Sequence, residues 1–572
     1  MTAKQQYHNR IFVVMAVLSA AGLLLVAQLA RWQIFQHDEF VVLAKEQNQR
    51  EIELKASRGR IFDSNNHLLA ANDFVYEVSA SPQIINDPYE TTDRLYRLLN
   101  IPRETLLDGL LSDALWIPLT RSAPREAGET LREWDITGIE VNPRSQRAYP
   151  EGALAAQLIG FVNDNNDGYY GLEGYYDKVL RGASGKQEGE HGPFGDLIPL
   201  GEFDITPPKE GADLYLTINR AIQQAVEDEL YQAIQRYGAE SGTVVVLEPK
   251  TGALLASANW PAYNPNDFAQ TDAVYYINNT VSWPYEPGSV FKIVTMAAAL
   301  DSGTIGPGTS VRDEGVLEYG GQSIYNSDRQ AYGIVDMTTV LAKSLNVSTA
   351  QIAIAMGAER FYTYVRRFGL GRLTEIDIYG ETPGTVKIPG DIYWYESALA
   401  TNSFGQGIAV TPIQMAVAVA AIANDGLLMK PYVAQKVVPR GAGRVIEVQP
   451  KIIRRAVSAD TADVLTQMLA DALEMEDSPA LIPGYRVAGK TGTAEIPIPG
   501  GYHPYLTITS FAGYFPVDDP QVVILVILNK PTVSKWGTKT AAPTFNRIGQ
   551  RLISLMDIPP DAVQQLTINN EQ

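Results

Sequence analysis

A lysine stands inside a stretch that is apolar on every side, Ser289-Val290-Phe291-Lys292-Ile293-Val294-Thr295-Met296-Ala297-Ala298-Ala299-Leu300. A helix that is apolar all round is buried. Any fold of this chain must therefore take Lys292 into its interior. Burial withholds solvation from the ammonium, lowers its pKa and favours the neutral amine, which is a base. Ser289 lies three positions earlier, so on a helix the two side chains share a face. The segment offers a serine nucleophile beside a lysine general base. Pro287-Gly288 just upstream is a turn signal suited to a helix start. A lone S-x-x-K also arises by chance, and a lysine near a helix end can snorkel to water, so the pair needs company.

Two further groups supply it. Lys343-Ser344-Leu345-Asn346 contains S-x-N, and Lys490-Thr491-Gly492-Thr493-Ala494 contains K-T-G. Each is common alone. In this chain order, with S-x-x-K, they match the catalytic set of class A β-lactamases and penicillin-binding proteins. Their settings agree. Val487 to Glu495 is short and β-branched, with glycines where backbone must approach a ligand closely. Thr509 to Phe515 reads as the next strand, Pro516 to Pro520 as a turn, and Val522 to Leu528 as a strand buried on both faces. Thr243-Leu247 and Ala253-Ser257 flank a hairpin signal, Glu248-Pro249-Lys250-Thr251-Gly252. Strands from both ends of a long segment, with helices between, predict an α+β domain: one mainly antiparallel sheet with the Ser289 helix packed against it. Thr411-Pro412-Ile413-Gln414 is a capping box with proline at the first helical position. The apolar helix it opens, ended by Asn424-Asp425-Gly426, reads as core without chemistry.

At 572 residues, 45% of them hydrophobic, the chain has room for two or three domains with a sizeable core. A net charge of −19 argues against nonspecific nucleic-acid binding. There is no cysteine, which excludes disulfides, thiolate chemistry and Cys zinc sites. The five histidines, His8, His37, His67, His191 and His503, show no metal-ligand spacing. His503 reads as a solvated loop residue, and the buried lysine makes a Ser-His-Asp triad unnecessary.

Ile11 to Ala30 is twenty residues broken only by Ser19, Gly22 and Gln28. As a helix it spans roughly 30 Å, the hydrocarbon thickness of a bilayer. Gln28 spoils a small-x-small cleavage site at Ala30, which favours an uncleaved anchor. Lys4 and Arg10 before the span outweigh Arg31 beyond it, which puts residues 1–10 in the cytoplasm and everything past the span outside it. The expected organisation is a tail 1–10, an anchor 11–32, a non-catalytic region 33–205, a catalytic domain 206–560 and a polar tail 561–572. Tyr89 to Leu111 reads as helical around Pro102. Asn163 to Gly201, rich in Gly, Asn and Asp, reads as exposed loops. Pro207 to Gly211 reads as a linker, Asp213 to Ile218 as a strand and Arg220 to Tyr237 as a long helix.

With these features together, nearly the whole chain resembles class B penicillin-binding proteins, monofunctional peptidoglycan transpeptidases of the bacterial plasma membrane. Outside the catalytic domain the resemblance rests on Arg58-Gly59-Arg60 with Asp63, on Arg147-Ala148-Tyr149-Pro150 with Gly152, and on Gly171-Leu172-Glu173. In that family these segments stabilise an elongated pedestal, or dimerisation-like domain, and its junction with the transpeptidase domain. The family usually continues the first motif as Asp-Arg-Asn-Gly. Here Asp63-Ser64-Asn65-Asn66-His67 departs from that, so the residues do not by themselves imply the family's local turn and arginine contact. Read from the residues alone, these charged groups are solvated or salt-bridged surface. Asn402-Ser403-Phe404-Gly405-Gln406-Gly407, Thr411-Pro412 and Ala541-Ala542-Pro543-Thr544-Phe545 look more like the division-specific type than the elongation-specific type, which stays open.

The resemblance implies that Ser289 attacks the penultimate D-Ala carbonyl of a stem peptide, with Lys292 as base. It implies a proton relay by Ser344 and an amide contact by Asn346. Lys490, Thr491, Gly492 and Thr493 would receive the terminal carboxylate. The backbone N–H groups of Ser289 and Thr493 would form the oxyanion hole. It implies β-lactam inhibition, no metal or organic cofactor, and pairing with a SEDS-type glycan polymerase and other membrane proteins of division or elongation. A β-lactamase would need neither anchor nor pedestal, and no dedicated water-activating glutamate stands out. A D,D-carboxypeptidase would pass the acyl group to water, and the motifs alone do not separate it. A β-lactam sensor would carry a cytoplasmic output domain, yet about ten residues precede the span. An intact Ser289–Lys292 pair argues against a catalytically dead scaffold.

Overall fold

In the computed structural model of the chain, residues 3–40, 49–190 and 203–561 are described. His191, the end of the Gly- and Asn-rich stretch, and the expected polar tail past Asp561 lie outside the described residues. Two units separate by their contacts: Met1–Ser57 with Gly182–Gly211, and Arg58–Arg181 with Ala212–Gln572.

In the first unit, Ala3–Ala30 is a single α-helix, continued by a π-helical segment Arg31–Phe35. Tyr7–Phe35 is long and apolar enough to cross a membrane, with mean hydropathy 2.4 and no part of its most apolar stretch buried in protein. Exposed runs such as Leu23-Leu24-Leu25 are what water disfavours and lipid accepts. The strands Gln49–Leu54, Gly185–Glu190 and Phe203–Thr206 form an antiparallel sheet in the same unit.

The second unit is built around a five-stranded antiparallel sheet, ordered Leu254–Trp260, Ser241–Leu247, Val522–Asn529, Gly501–Phe515, Ala488–Ile498. The continuous apolar run has a plain cause. Val523, Leu525 and Ile527 enter one hydrophobic core, while Ile524, Val526 and Leu528 enter another on the opposite face. A strand covered on both faces has no position left for polar alternation. Helices Arg220–Tyr237 and Ala541–Met556 cover one face, and helix Pro412–Ala423 covers the other. That last helix is buried at every position, and its capping box is complete: Thr411 N donates to Gln414 Oε1, and Gln414 N to Thr411 Oγ1. The Ser289 segment sits differently from the expectation. Its 3₁₀ turn, Gly288–Phe291, meets the edge strand Ala488–Ile498, whereas helix Lys292–Asp301 packs chiefly among other helices. Pro412–Ala423, the more uniformly apolar helix, takes the place on the sheet.

A seven-stranded sheet holds the region before residue 220 together. Its main path runs Ile446–Glu447, Ala434–Val438, Asp213–Leu216, Ile61–Phe62, Leu68–Ala80, Ile117–Ala123, with Ile139–Ala148 also paired to Leu68–Ala80. The helical reading around Pro102 holds as two helices, Pro88–Leu99 and Arg103–Leu110. The reading of exposed loops does not hold throughout Asn163 to Gly201. Gly171, Leu172 and Glu173 are buried in a short helix, Gly171–Tyr175. Gly171 has φ +43°, and a Cβ there would stand 2.3 Å from the Leu158 carbonyl oxygen. Glycine here marks a close backbone approach, not solvent.

Apart from the exposed Arg60, the charged motif residues are likewise interior rather than surface. Arg58 and Glu173 are 1% and 0% exposed. Arg58 Nε donates to Glu173 Oε2 and Arg147 Nε to Glu173 Oε1, each at 2.7 Å. Arg58 also reaches Asp177 at 2.9 Å, and Arg147 the Gly59 carbonyl at 2.8 Å. One buried carboxylate thus joins two arginines from distant segments. Asp63 does make a local turn despite its altered neighbours. Its Oδ1 accepts from Asn65 N at 2.8 Å and His67 N at 2.7 Å, and Asn66 takes φ +67°, a conformation asparagine tolerates better than most residues. Its Oδ2 accepts from the backbone N of Arg220 at 3.0 Å, at the start of the long helix. Tyr149 is buried, and its backbone exchanges two hydrogen bonds with the Asn266 amide, while Pro150 next to it is exposed.

Candidate active site

Ser289 lies in the 3₁₀ turn and Lys292 opens the α-helix that follows. Three residues per 3₁₀ turn bring positions i and i+3 into line, so the S-x-x-K spacing aims both side chains one way. Lys292 is 0% exposed. Its Nζ donates to the Ser344 carbonyl at 2.6 Å, to Asn346 Oδ1 at 2.8 Å and to Ser344 Oγ at 3.3 Å. Ser344 Oγ donates to Ser289 Oγ at 2.9 Å. No hydrogen bond joins Ser289 to Lys292 directly among the described residues; Ser344 stands between them.

Ser344 reaches this position by an uncommon backbone. Helix Met337–Ala342 ends just before it, and Ser344 has φ +56°. A non-glycine residue there costs roughly 1–2 kcal/mol. Glycine would relieve that strain but would remove the hydroxyl that links Ser289 and Lys292. Asn346 opens the next helix, Asn346–Met356, and its Nδ2 donates to the Tyr325 carbonyl at 3.2 Å.

The K-T-G segment runs along the sheet's edge strand. An edge strand leaves every second N–H and C=O out of the ladder, available to something in the cleft. Gly492 is the closest approach: a Cβ there would stand 2.3 Å from Ser510 Oγ and 2.9 Å from the Pro287 carbonyl oxygen. The strand can therefore lie against the turn that carries Ser289 only with glycine at this point. Thr493 Oγ1 accepts from Gly537 N at 3.1 Å, and Thr491 is half-buried in the same strand. Lys490 is 4% exposed and lies 3.4 Å from Thr491 Oγ1.

Burial, reinforced by the like charge of Lys490, holds the Lys292 amine well below the usual lysine range, with Asp313 pulling weakly the other way. Burial also lowers Lys490, to about 8, against the opposing pull of Glu476. Burial thus lowers both amines, and Lys490 adds its like charge to the lowering of Lys292. A cleft of about 1020 Å³ opens over Ser289, Ser344, Asn346, Thr491 and Thr493. Among the described residues no group of His, Asp and Glu side chains is spaced to hold a metal ion.

Sequence reasoning did not single out Glu286, three residues before Ser289. Its carboxylate accepts from Gly407 N at 3.0 Å and from Tyr502 Oη at 3.2 Å. It therefore ties the nucleophile's turn to the loop after Asn402 and to the hairpin that extends the K-T-G strand. Burial, with Glu495 nearby, raises it to about 7. Nor did it single out the buried trio Asp313, Asn326 and Ser348 behind the S-x-N segment. Glu286 adjoins a recognisable motif, whereas nothing local marks the trio.

Residues 242–550 match the penicillin binding protein transpeptidase domain, and residues 53–216 match the penicillin-binding protein dimerisation domain. The chain belongs to the class B penicillin-binding proteins. This penicillin-binding protein is similar along most of its length to peptidoglycan D,D-transpeptidase FtsI of Escherichia coli, at 32% identity over 94% of this chain and 90% of the relative. It is also similar to the probable peptidoglycan D,D-transpeptidase PbpC of Pseudomonas aeruginosa, at 31% identity over 98% of each. Among solved structures, penicillin binding protein 3 of Mycobacterium tuberculosis in complex with aztreonam superposes with a TM-score of 0.69. It is 29% identical and covers 89% of this penicillin-binding protein and 98% of that chain.

Proposed function

We propose that this protein is a serine D,D-transpeptidase that cross-links peptidoglycan stem peptides and is acylated by β-lactams. The observation that carries the reading is the Ser344 hydroxyl, bonded to both Ser289 Oγ and the buried Lys292 amine. A neutral amine has two N–H donors. Its two shortest contacts, to the Ser344 carbonyl and Asn346 Oδ1, use both and leave the lone pair toward Ser344 Oγ. With the hydroxyls turned, Ser289 gives its proton to Ser344 as Ser344 gives its own to Lys292. Ser289 Oγ attacks the penultimate D-Ala carbonyl, and the oxyanion is received by the backbone N–H groups of Ser289 and Thr493. The proton returns through Ser344 to the leaving D-Ala amine. An amine of a second stem peptide then attacks the ester and frees Ser289. Lys490, still charged below about pH 8, receives the substrate carboxylate with Thr491 and Thr493, and Gly492 lets the strand close on the nucleophile. A β-lactam follows the same first step, but its ring amine stays tethered.

The N-terminal helix supports single-pass anchoring in the bacterial plasma membrane with the catalytic domain outside the cytoplasm. The FtsI relative supports a septal role, and the family resemblance implies a SEDS-type polymerase in the same membrane as partner. Ser289→Ala abolishes covalent labelling by fluorescent penicillin while wild type labels stoichiometrically; equal labelling of the variant sinks the assignment. With purified stem pentapeptides, a cross-linked dimer is the expected product, and free tetrapeptide alone would mean a carboxypeptidase. Depletion in cells should give filaments; round cells would mean an elongation role instead.

A further inference from the structure

Behind Ser344 and Asn346 lies a carboxylate that this chemistry leaves unused. Asp313 ends the strand Ser310–Asp313 and is 1% exposed, yet it forms no ion pair among the described residues. Its Oδ1 accepts from Asn326 Nδ2 at 2.7 Å and from Gly315 N at 3.0 Å. Its Oδ2 accepts from Ser348 Oγ at 2.7 Å. Asn326 Oδ1 in turn accepts from the backbone N of Val347 at 3.1 Å. Asn326 and Ser348 are themselves buried. A buried carboxylate with no bonded cation is costly. Asparagine is nearly the same size and offers a neutral oxygen and amide in its place. Hydrogen bonding alone does not explain why a charge is kept there.

The position of the network does. It grips Val347 and Ser348, the residues directly after the S-x-N triplet. That triplet contains the left-handed Ser344, a conformation that persists only when its surroundings hold it. We propose that Asp313 is a positioning residue for acyl transfer: through Asn326 and Ser348 it fixes Ser344 and Asn346 against Lys292, and it places a buried carboxylate behind the two residues that accept from the Lys292 amine. The proposal rests on the acyl-transfer reading above. Two charged groups act on the buried Lys292 amine. Lys490 favours loss of its proton and Asp313 favours retention. Asp313 thus does two separable things, one through hydrogen bonds and one through charge.

The test measures the second-order rate of acylation by fluorescent penicillin against pH, with the full-length protein in detergent. The rate rises with pH as Lys292 loses its proton. Removing the Asp313 charge makes that proton easier to lose, so in Asp313→Asn the acid limb moves to lower pH. Its limiting rate stays near that of wild type, because asparagine keeps the three hydrogen bonds once the Ser348 hydroxyl turns to accept. Ser348→Ala keeps the charge and removes one anchor, so its limiting rate falls while its acid limb stays. Thermal melts of each variant show that it is folded. An Asp313→Asn limb at or above that of wild type overturns the proposal, as does an undiminished limiting rate in Ser348→Ala. If Asp313→Asn does not fold, Ser348→Ala alone decides. A wild-type protein that takes no label removes the acyl-transfer reading itself; a labelled wild type with unaltered variants removes only the role of Asp313.

Discussion

At the scale of single residues, the proposed acyl transfer asks two lysines to hold opposite protonation states. Lys292 must be neutral and Lys490 charged, and burial lowers both. The consequence is a bell-shaped acylation profile. The rate rises as Lys292 loses its proton, then falls as pH passes about 8 and Lys490 loses its own. Lys490→Arg should keep its charge throughout and flatten the alkaline limb, even if the altered head group lowers the plateau. An alkaline limb unchanged in that variant would assign it to another group. Lys292→Arg should give no acylation at any pH, because guanidinium does not act as a base in water. Ser289, Lys292, Ser344, Asn346 and Lys490 could be nominated from the sequence because each belongs to a short motif whose spacing has a geometric meaning. A relay at Ser344 came with the resemblance, but its placement between Ser289 and Lys292 was not legible. It depends on a left-handed backbone at one serine, and no propensity points to that.

At the scale of elements, strands and helices were readable wherever periodicity and end signals agreed, as in helix Arg220–Tyr237 and the capped helix Pro412–Ala423. What could not be read was which charges go inside. Arg58 finds Glu173 across 115 residues of chain, and no local pattern encodes that meeting. The arrangement makes Glu173 unusually consequential, since one carboxylate answers two buried guanidiniums. Glu173→Gln should cost about 3–5 kcal/mol, the range for breaking a buried ion pair from one side, read as a lower denaturation midpoint in urea. Glu90→Gln, which breaks an exposed pair with Arg94, should barely move the midpoint. Similar shifts for the two would show that the buried network is no more than surface electrostatics.

At the scale of the whole molecule, the apolar N-terminal helix has its own prediction. The small residues Ala20, Ala21 and Gly22 form a patch where another membrane helix can approach closely. Replacing Ile11–Ala30 with an unrelated apolar span should keep the protein in the membrane fraction and keep penicillin labelling. It should weaken co-purification of the SEDS-type polymerase proposed above as a partner. Full retention of the partner would leave the span as anchor alone. The large sheet before residue 220 has a different consequence. Its strand Asp213–Leu216 lies between Ile61–Phe62 on one side and Ala434–Val438 on the other, and the Asp63 carboxylate receives the first N–H of helix Arg220–Tyr237. The chain passes through this sheet early, midway and late. The region before residue 206 is therefore not a detachable module that recombination can trade between relatives. A chimera joined there must rebuild the pairing of Asp213–Leu216 with Ile61–Phe62 and the contact of Asp63 with the Arg220 N–H, although Asn219 still caps the helix, so the two regions should descend together and their lineages share one tree.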